Sequence, residues 1–156
     1  MVLWFVGTAF AAVWFVFRDP RFDLRMLALG ALLPDIVDVW SGGTWVMHSV
    51  TASVTVLALV MFATRGRRPS RPMLLAVPIG MFMHLVFDGV FARTTAFWWP
   101  FAGTGFGTDR LPSFDRGWWN VPLEIAGALL AMWVVRTSRA AAAPAGGRHG
   151  DGAATC

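Results

Sequence analysis

Hydrophobic residues along this chain come in blocks of roughly span length, without strand-like alternation or an amphipathic helical stripe, and short arginine-rich segments separate them. The blocks run from Val2 to Phe17, Met26 to Trp40, Trp45 to Ala63, Met73 to Phe91 and Val121 to Val135. A bilayer core about 30 Å thick takes about 20 apolar residues of helix, and in lipid the backbone must satisfy its own polar groups. The pattern therefore predicts an all-α, polytopic transmembrane helical bundle of about five spans. Met26 to Trp40 is the weakest of these, because it is short, is interrupted by Pro34 and is followed by Gly42 and Gly43. Four spans plus a re-entrant hairpin is the alternative.

The arginines orient the bundle. Arg18, Arg21 and Arg25 fall in RDPRFDLR, a second cluster is RGRRPSRP, and Arg136 and Arg139 end the last block. Excess basic residues mark cytoplasmic loops. With both basic loops inside, the N-terminus lies outside and the connection from Ala92 to Asn120, rich in aromatic residues and glycine, is external. The first apolar run has no basic residue ahead of it, so it reads as an uncleaved anchor in the plasma (inner) membrane. Residues 1–139 form the expected membrane domain, and the Ala/Gly-rich residues 140–156 are expected to be disordered.

Composition agrees: 56% of residues are hydrophobic, 14% are charged and the mean hydropathy is +0.58. The formal charge of +4 does not imply nucleic acid binding, because the 13 basic residues, all arginine, are dispersed between apolar blocks, where they meet lipid headgroups. The one cysteine, Cys156, leaves no internal disulfide and is not at a prenylation position. No internal repeat is evident, and the oligomeric state is not encoded in any readable signal.

Five ionisable residues, Asp35, Asp38, His48, His84 and Asp88, stand inside or at the mouths of the apolar blocks. A charge at membrane depth costs at least about 2.5 to 3.5 kcal/mol, so such residues face a bundle interior, pair, or bind an ion. At about 1.5 Å per residue, counting from the cytoplasmic ends puts Asp35, Asp38, His48, His84, Asp88 and Glu124 between roughly 14 and 22 Å deep, in one outer layer. Asp35 and Asp38 are i, i+3, and His84 and Asp88 are i, i+4, so each pair shares a helix face. His48, Thr51 and Thr55 suggest an inward stripe on the third block. Pro34 frees the carbonyl of Gly30 just before the first acid.

The strings LLPDIVD, MHS, GMFMHLVFDG and WWPF, in this order across Gly30 to Phe101, resemble the YdjM-like family of inner-membrane metal-dependent hydrolases. That family reads LPDIDH, HRG-x-THS and SH-x-x-x-D, and its fold is thought to be related to zinc-dependent phospholipase C and P1-type nucleases. The resemblance implies metal ligands at Asp35, His48, His84 and Asp88. The chain departs from the pattern at Val37, which replaces the second acid, and at Asp38, which replaces the following histidine. The histidine of HRG is missing, as is any histidine in the first span.

Imidazoles with carboxylates and no thiolate suit Zn²⁺ first and Mn²⁺ second. The expected metal set is Asp35, Asp38, His48, His84 and Asp88, with Asp38 or Glu124 as catalytic base where not coordinating. Such an ion acidifies water toward a pKa near 7, which suits attack on an ester or phosphoester. The outward position beside an aromatic loop points to a lipid-linked substrate. The alternative is a non-catalytic cluster that binds metal or protons for structure or transport, although the inner halves of the blocks carry no ionisable relay. Glu124 is equally readable as a helix-terminus acid after Pro122. Trp98, Trp99, Trp118 and Trp119 read as an interfacial belt, and Arg93, Arg110 and Arg116 as solvated. GTGFG neither follows a strand nor opens a helix, so it is not a phosphate loop.

Overall fold

The computed structural model of the chain describes residues 1–39, 46–66, 70–89, 94–103 and 117–143. Every regular element among them is helical: α1 (Val2–Phe17), α2 (Leu24–Val39), α3 (Val50–Ala63), α4 (Arg71–Asp88), the single turn α5 (Thr94–Phe97) and α6 (Asn120–Ala142). Short 3₁₀ turns, Val46–His48 and Gly117–Trp119, precede α3 and α6.

Local chemistry sets the ends. Arg18 closes α1 in the left-handed conformation, φ 48°, with its N–H on the carbonyl of Trp14. Asp23 Oδ1 then accepts from the N–H groups of Arg25 and Met26, at 3.0 and 3.1 Å, and so opens α2. Ser49 does the same for α3, its Oγ accepting from Ala52 N–H at 3.1 Å. That cap cuts the expected Trp45 to Ala63 block in two, because the serine is stabilised outside the helix. Proline sits in the first turn of α4, and Gly89 ends it at φ 75°. The last helix runs through Ala142, three residues beyond the expected boundary at 139; residues 144–156 of the tail lie outside the described residues.

The two closest pairs, α1 with α6 and α2 with α4, run parallel, and the two pairs point in opposite directions. α1 lies between α6 on one side and α2 with α4 on the other, and α3 leans on α4. The buried cluster of Ala9, Phe10, Val13, Leu27, Ala31, Ala76 and Val134 fills the centre with small and medium side chains. Two contacts are closer than side chains allow. A Cβ on Gly80 would stand 2.4 Å from the Leu27 carbonyl oxygen, and one on Gly30 would stand 2.1 Å from that of Val77, so α2 and α4 touch backbone to backbone. Gly7 and Gly127 bring α1 and α6 together in the same way, with 2.0 Å from a Gly7 Cβ to the Gly127 oxygen. Small residues at such crossings are how helices associate where hydrophobicity cannot drive them together.

Among the described residues, two helical stretches, Arg71–Asp88 and Gly117–Ala142, are long and apolar enough to cross a membrane. α1 and α3, with 16 and 14 residues, are apolar but shorter. The connection between α2 and the 3₁₀ segment, where the re-entrant alternative would lie, falls on residues 40–45 outside the described set.

Candidate metal centre

Three elements converge at the end of the bundle where α1 and α6 begin and α2 and α4 finish. Asp35 comes from α2 one residue after Pro34, His84 from the last turns of α4, and His48 from the 3₁₀ turn ahead of α3. Each offers one ligand atom, and the three atoms lie within 4.8 Å of one another. Asp35 Oδ1 is 3.5 Å from His48 Nε2 and 3.5 Å from His84 Nε2. Ligands 2.0 to 2.2 Å from a tetrahedral Zn²⁺ stand about 3.3 to 3.6 Å apart, so both separations match an edge of such a site.

The other ring nitrogens explain why the Nε2 atoms are available. His84 Nδ1 stands 2.7 Å from the carbonyl oxygen of Ala31, which can only accept, so Nδ1 carries the proton. His48 Nδ1 stands 2.5 Å from Asp38 Oδ2 and donates to it. In a neutral imidazole held this way the lone pair is on Nε2, facing Asp35, as in the carboxylate–histidine–metal arrangement. Packing fixes the rings as well: Phe5 lies against His84 at 4.0 Å between centroids, and the two imidazoles meet nearly edge to face at 5.3 Å.

Asp35 Oδ1, His48 Nε2 and His84 Nε2 are buried and have no hydrogen-bond partner. With both rings neutral, each buried acceptor left in that state costs about 1 to 3 kcal/mol. A cation at their centre removes that penalty. The donor set fits a borderline divalent ion, two imidazoles and a carboxylate being the composition of open zinc sites with three protein ligands. Access is one-sided: the side chains of Asp38, His48 and His84 are fully buried, whereas that of Asp35 is 24% exposed.

The remaining expected residues lie elsewhere. Asp38 is behind His48, on the nitrogen away from Asp35, which makes it a positioning residue for that ring. Asp88, one turn beyond His84, is buried but stands outside the group of three converging atoms. Glu124 caps a helix, though not its own: Oε2 accepts from Leu3 N–H at 2.7 Å and Oε1 is 3.4 Å from the terminal amino group, so it is engaged at the start of α1 and not at the metal group. The expected stripe of His48, Thr51 and Thr55 does not continue along α3, because the Ser49 cap places His48 outside that helix. Ala52 and Ser53 are its buried positions, Thr55 is exposed, and Thr51 Oγ1 donates to the carbonyl of Trp99 at 2.5 Å.

The chain matches no family model, no curated protein and no solved structure. The geometry therefore carries the functional reading. Sequence reasoning had missed the two positioning contacts behind the histidines and the glycine pairs; GALLPD and PIGMFMH held a readable hint in Gly30 and Gly80, each four or five residues before a ligand.

Proposed function

We propose that this chain is a membrane-embedded, metal-dependent hydrolase of esters or phosphoesters, akin to the YdjM-like family, whose centre is Asp35, His48 and His84. The observation that carries the reading is the convergence of two buried Nε2 lone pairs and one carboxylate oxygen that have no other partner. Membrane embedding is supported by what the helices expose. Only 39% of the apolar window of Arg71–Asp88 and 11% of that of Gly117–Ala142 is buried, which is too little for core helices of a soluble protein. Phe15, Ile36, Phe62, Phe82, Leu129 and Trp133, spread over five helices, all face outward. The arginine-bearing connections lie at the end opposite the centre, which supports a centre on the outer side of the membrane.

A bound Zn²⁺ or Mn²⁺ would act as a Lewis acid that acidifies water and polarises a carbonyl or phosphoryl oxygen. The chain's own residues supply the rest. His48 and His84 hold their lone pairs in place through Asp38 and Ala31. Asp35 Oδ1 is buried, so the exposure of that side chain falls on its remaining atoms, and its second oxygen would be the proton acceptor. Exposed Trp98, Trp118 and Trp119 stand at the same end, where a lipid headgroup would arrive.

Metal binding without hydrolysis is the second reading, favoured by Val37 and by the missing family histidines. A screen of phospholipids and polyprenyl phosphates with detergent-purified protein and added Zn²⁺ or Mn²⁺ separates the two. Turnover that disappears in His84→Ala is the expected result. Stoichiometric metal with no turnover of any ester would leave the second reading.

A further inference from the structure

Away from the metal centre, a groove of about 320 Å³ runs between α1, α3 and α4, bordered by Ala12, Val13, Ser53, Leu57, Phe82 and Met83 among others. Its lining is apolar with one exception. Ser53 is 4% exposed, and its hydroxyl has no hydrogen-bond partner. The serine marks the end nearer the metal centre: its N–H bonds to the carbonyl of Ser49, the residue after His48, and Met83 immediately precedes His84. The other end reaches Val16 and Phe17 at the foot of α1, both exposed and apolar, so the groove opens onto the surface assigned to lipid.

We propose that this groove holds the fatty-acyl chain of a membrane lipid, with the Ser53 hydroxyl donating to the ester carbonyl at its head. The inference rests on the membrane-embedded reading given above. The volume is within the range of small-molecule sites. The unpartnered hydroxyl selects the occupant. An acyl ester brings a carbonyl acceptor where the apolar wall ends, which a polyprenyl chain does not, and a buried donor without a partner is otherwise a standing cost. A lipid seated in this way lies with its polar end toward Asp35, His48 and His84, so the proposal names an acyl lipid as the substrate class of that centre.

Photo-crosslinking tests it. The probe is a phosphatidylcholine with a diazirine in mid-chain, doped into detergent micelles with the full-length protein, and adducts are mapped by mass spectrometry while zinc content is measured on the same sample. The expected result is adducts concentrated on the peptides containing Leu57 and Phe82. Ala12→Phe and Leu57→Trp, which fill the groove from opposite walls, should each lower that labelling about tenfold, the change for losing the burial of about two methylenes, with zinc content unchanged. Ser53→Ala should weaken labelling by the ester probe about fivefold and leave a diazirine alkane unaffected. Adducts spread equally over Leu129 and Trp133, or labelling indifferent to both filling variants, would overturn the groove. Groove labelling in a protein that holds no zinc would keep the groove and remove the metal centre.

Discussion

Two helix pairs in this molecule are sealed by the same device and carry different loads. In both, a reciprocal glycine contact brings backbones together, and about one turn away a polar side chain crosses to the neighbouring helix. Between α2 and α4, Gly30 and Gly80 close the gap, and His84, one turn beyond Gly80, reaches the carbonyl of Ala31. Between α1 and α6, Gly7 and Gly127 close the gap, and Glu124, three residues before Gly127, accepts from Leu3 N–H. The first crossing aims a candidate ligand; the second ties down a helix end. Close approach is thus a general packing solution for weakly amphipathic helices, and a candidate metal centre forms where the crossing side chain keeps a second, unpartnered atom.

That contrast gives a graded set of expectations. The largest effect is expected from the ligands: Asp35→Ala or His48→Ala should reduce zinc, measured by elemental analysis of purified protein, from one ion per chain to background, because either change leaves only two ligands. Next is Asp38→Asn, which keeps the shape but removes the anionic acceptor behind His48. Loss of such a partner costs about 10- to 100-fold in metal affinity, readable by competition with a chromophoric chelator. Gly80→Val should follow, with about tenfold weaker zinc binding together with a lower Tm, since its side chain meets the backbone of Leu27 and Ala31 and cannot be accommodated without parting α2 from α4. Gly127→Val should lower Tm by a similar amount and leave the zinc content of the folded fraction unchanged. Equal effects of the two glycine changes on zinc would erase the distinction between the pairs. The smallest effect is Glu124→Gln, which should cost about 1 kcal/mol in thermal or denaturant unfolding and nothing in metal affinity.

Much of this architecture was legible from hydrophobic blocks, because a helix that shows apolar residues on all sides announces itself by composition. The first block coincides with α1 at both ends, α2 and α4 fall on theirs within three residues, and α6 starts one residue before its block but runs seven residues past its end. The convergence of Asp35, His48 and His84 was legible too, from depth along three separate blocks. What escaped was local. His48 belongs to a 3₁₀ turn, since Ser49 caps α3 immediately after it, and an apolar block does not reveal where its helix begins. Asp38 shares a face with Asp35 by spacing, yet spacing does not say that one turns to the two histidine Nε2 atoms and the other to the back of an imidazole. Of the two readings of Glu124, catalytic base and helix-terminus acid, it is engaged at a helix start, though that of α1 and not its own, because depth along a helix says nothing about azimuth.

Acidification sharpens the metal reading in one direction. Ligation requires both imidazoles neutral and Asp35 ionised, so binding releases protons and zinc should be lost as pH falls, with no corresponding loss on the alkaline side up to the onset of hydroxide precipitation. Dialysis at stepped pH followed by elemental analysis reads this directly, and a zinc content indifferent to acid would point to adventitious ions on the surface.

X-ray absorption at the zinc edge, on protein loaded with one equivalent in detergent, tests the core of this account most directly. Two imidazole nitrogens and carboxylate or water oxygens at about 2.0 to 2.2 Å are expected, with the bound zinc and its imidazole signal lost in His84→Ala. A shell without imidazole, or one unchanged by that substitution, would contradict it.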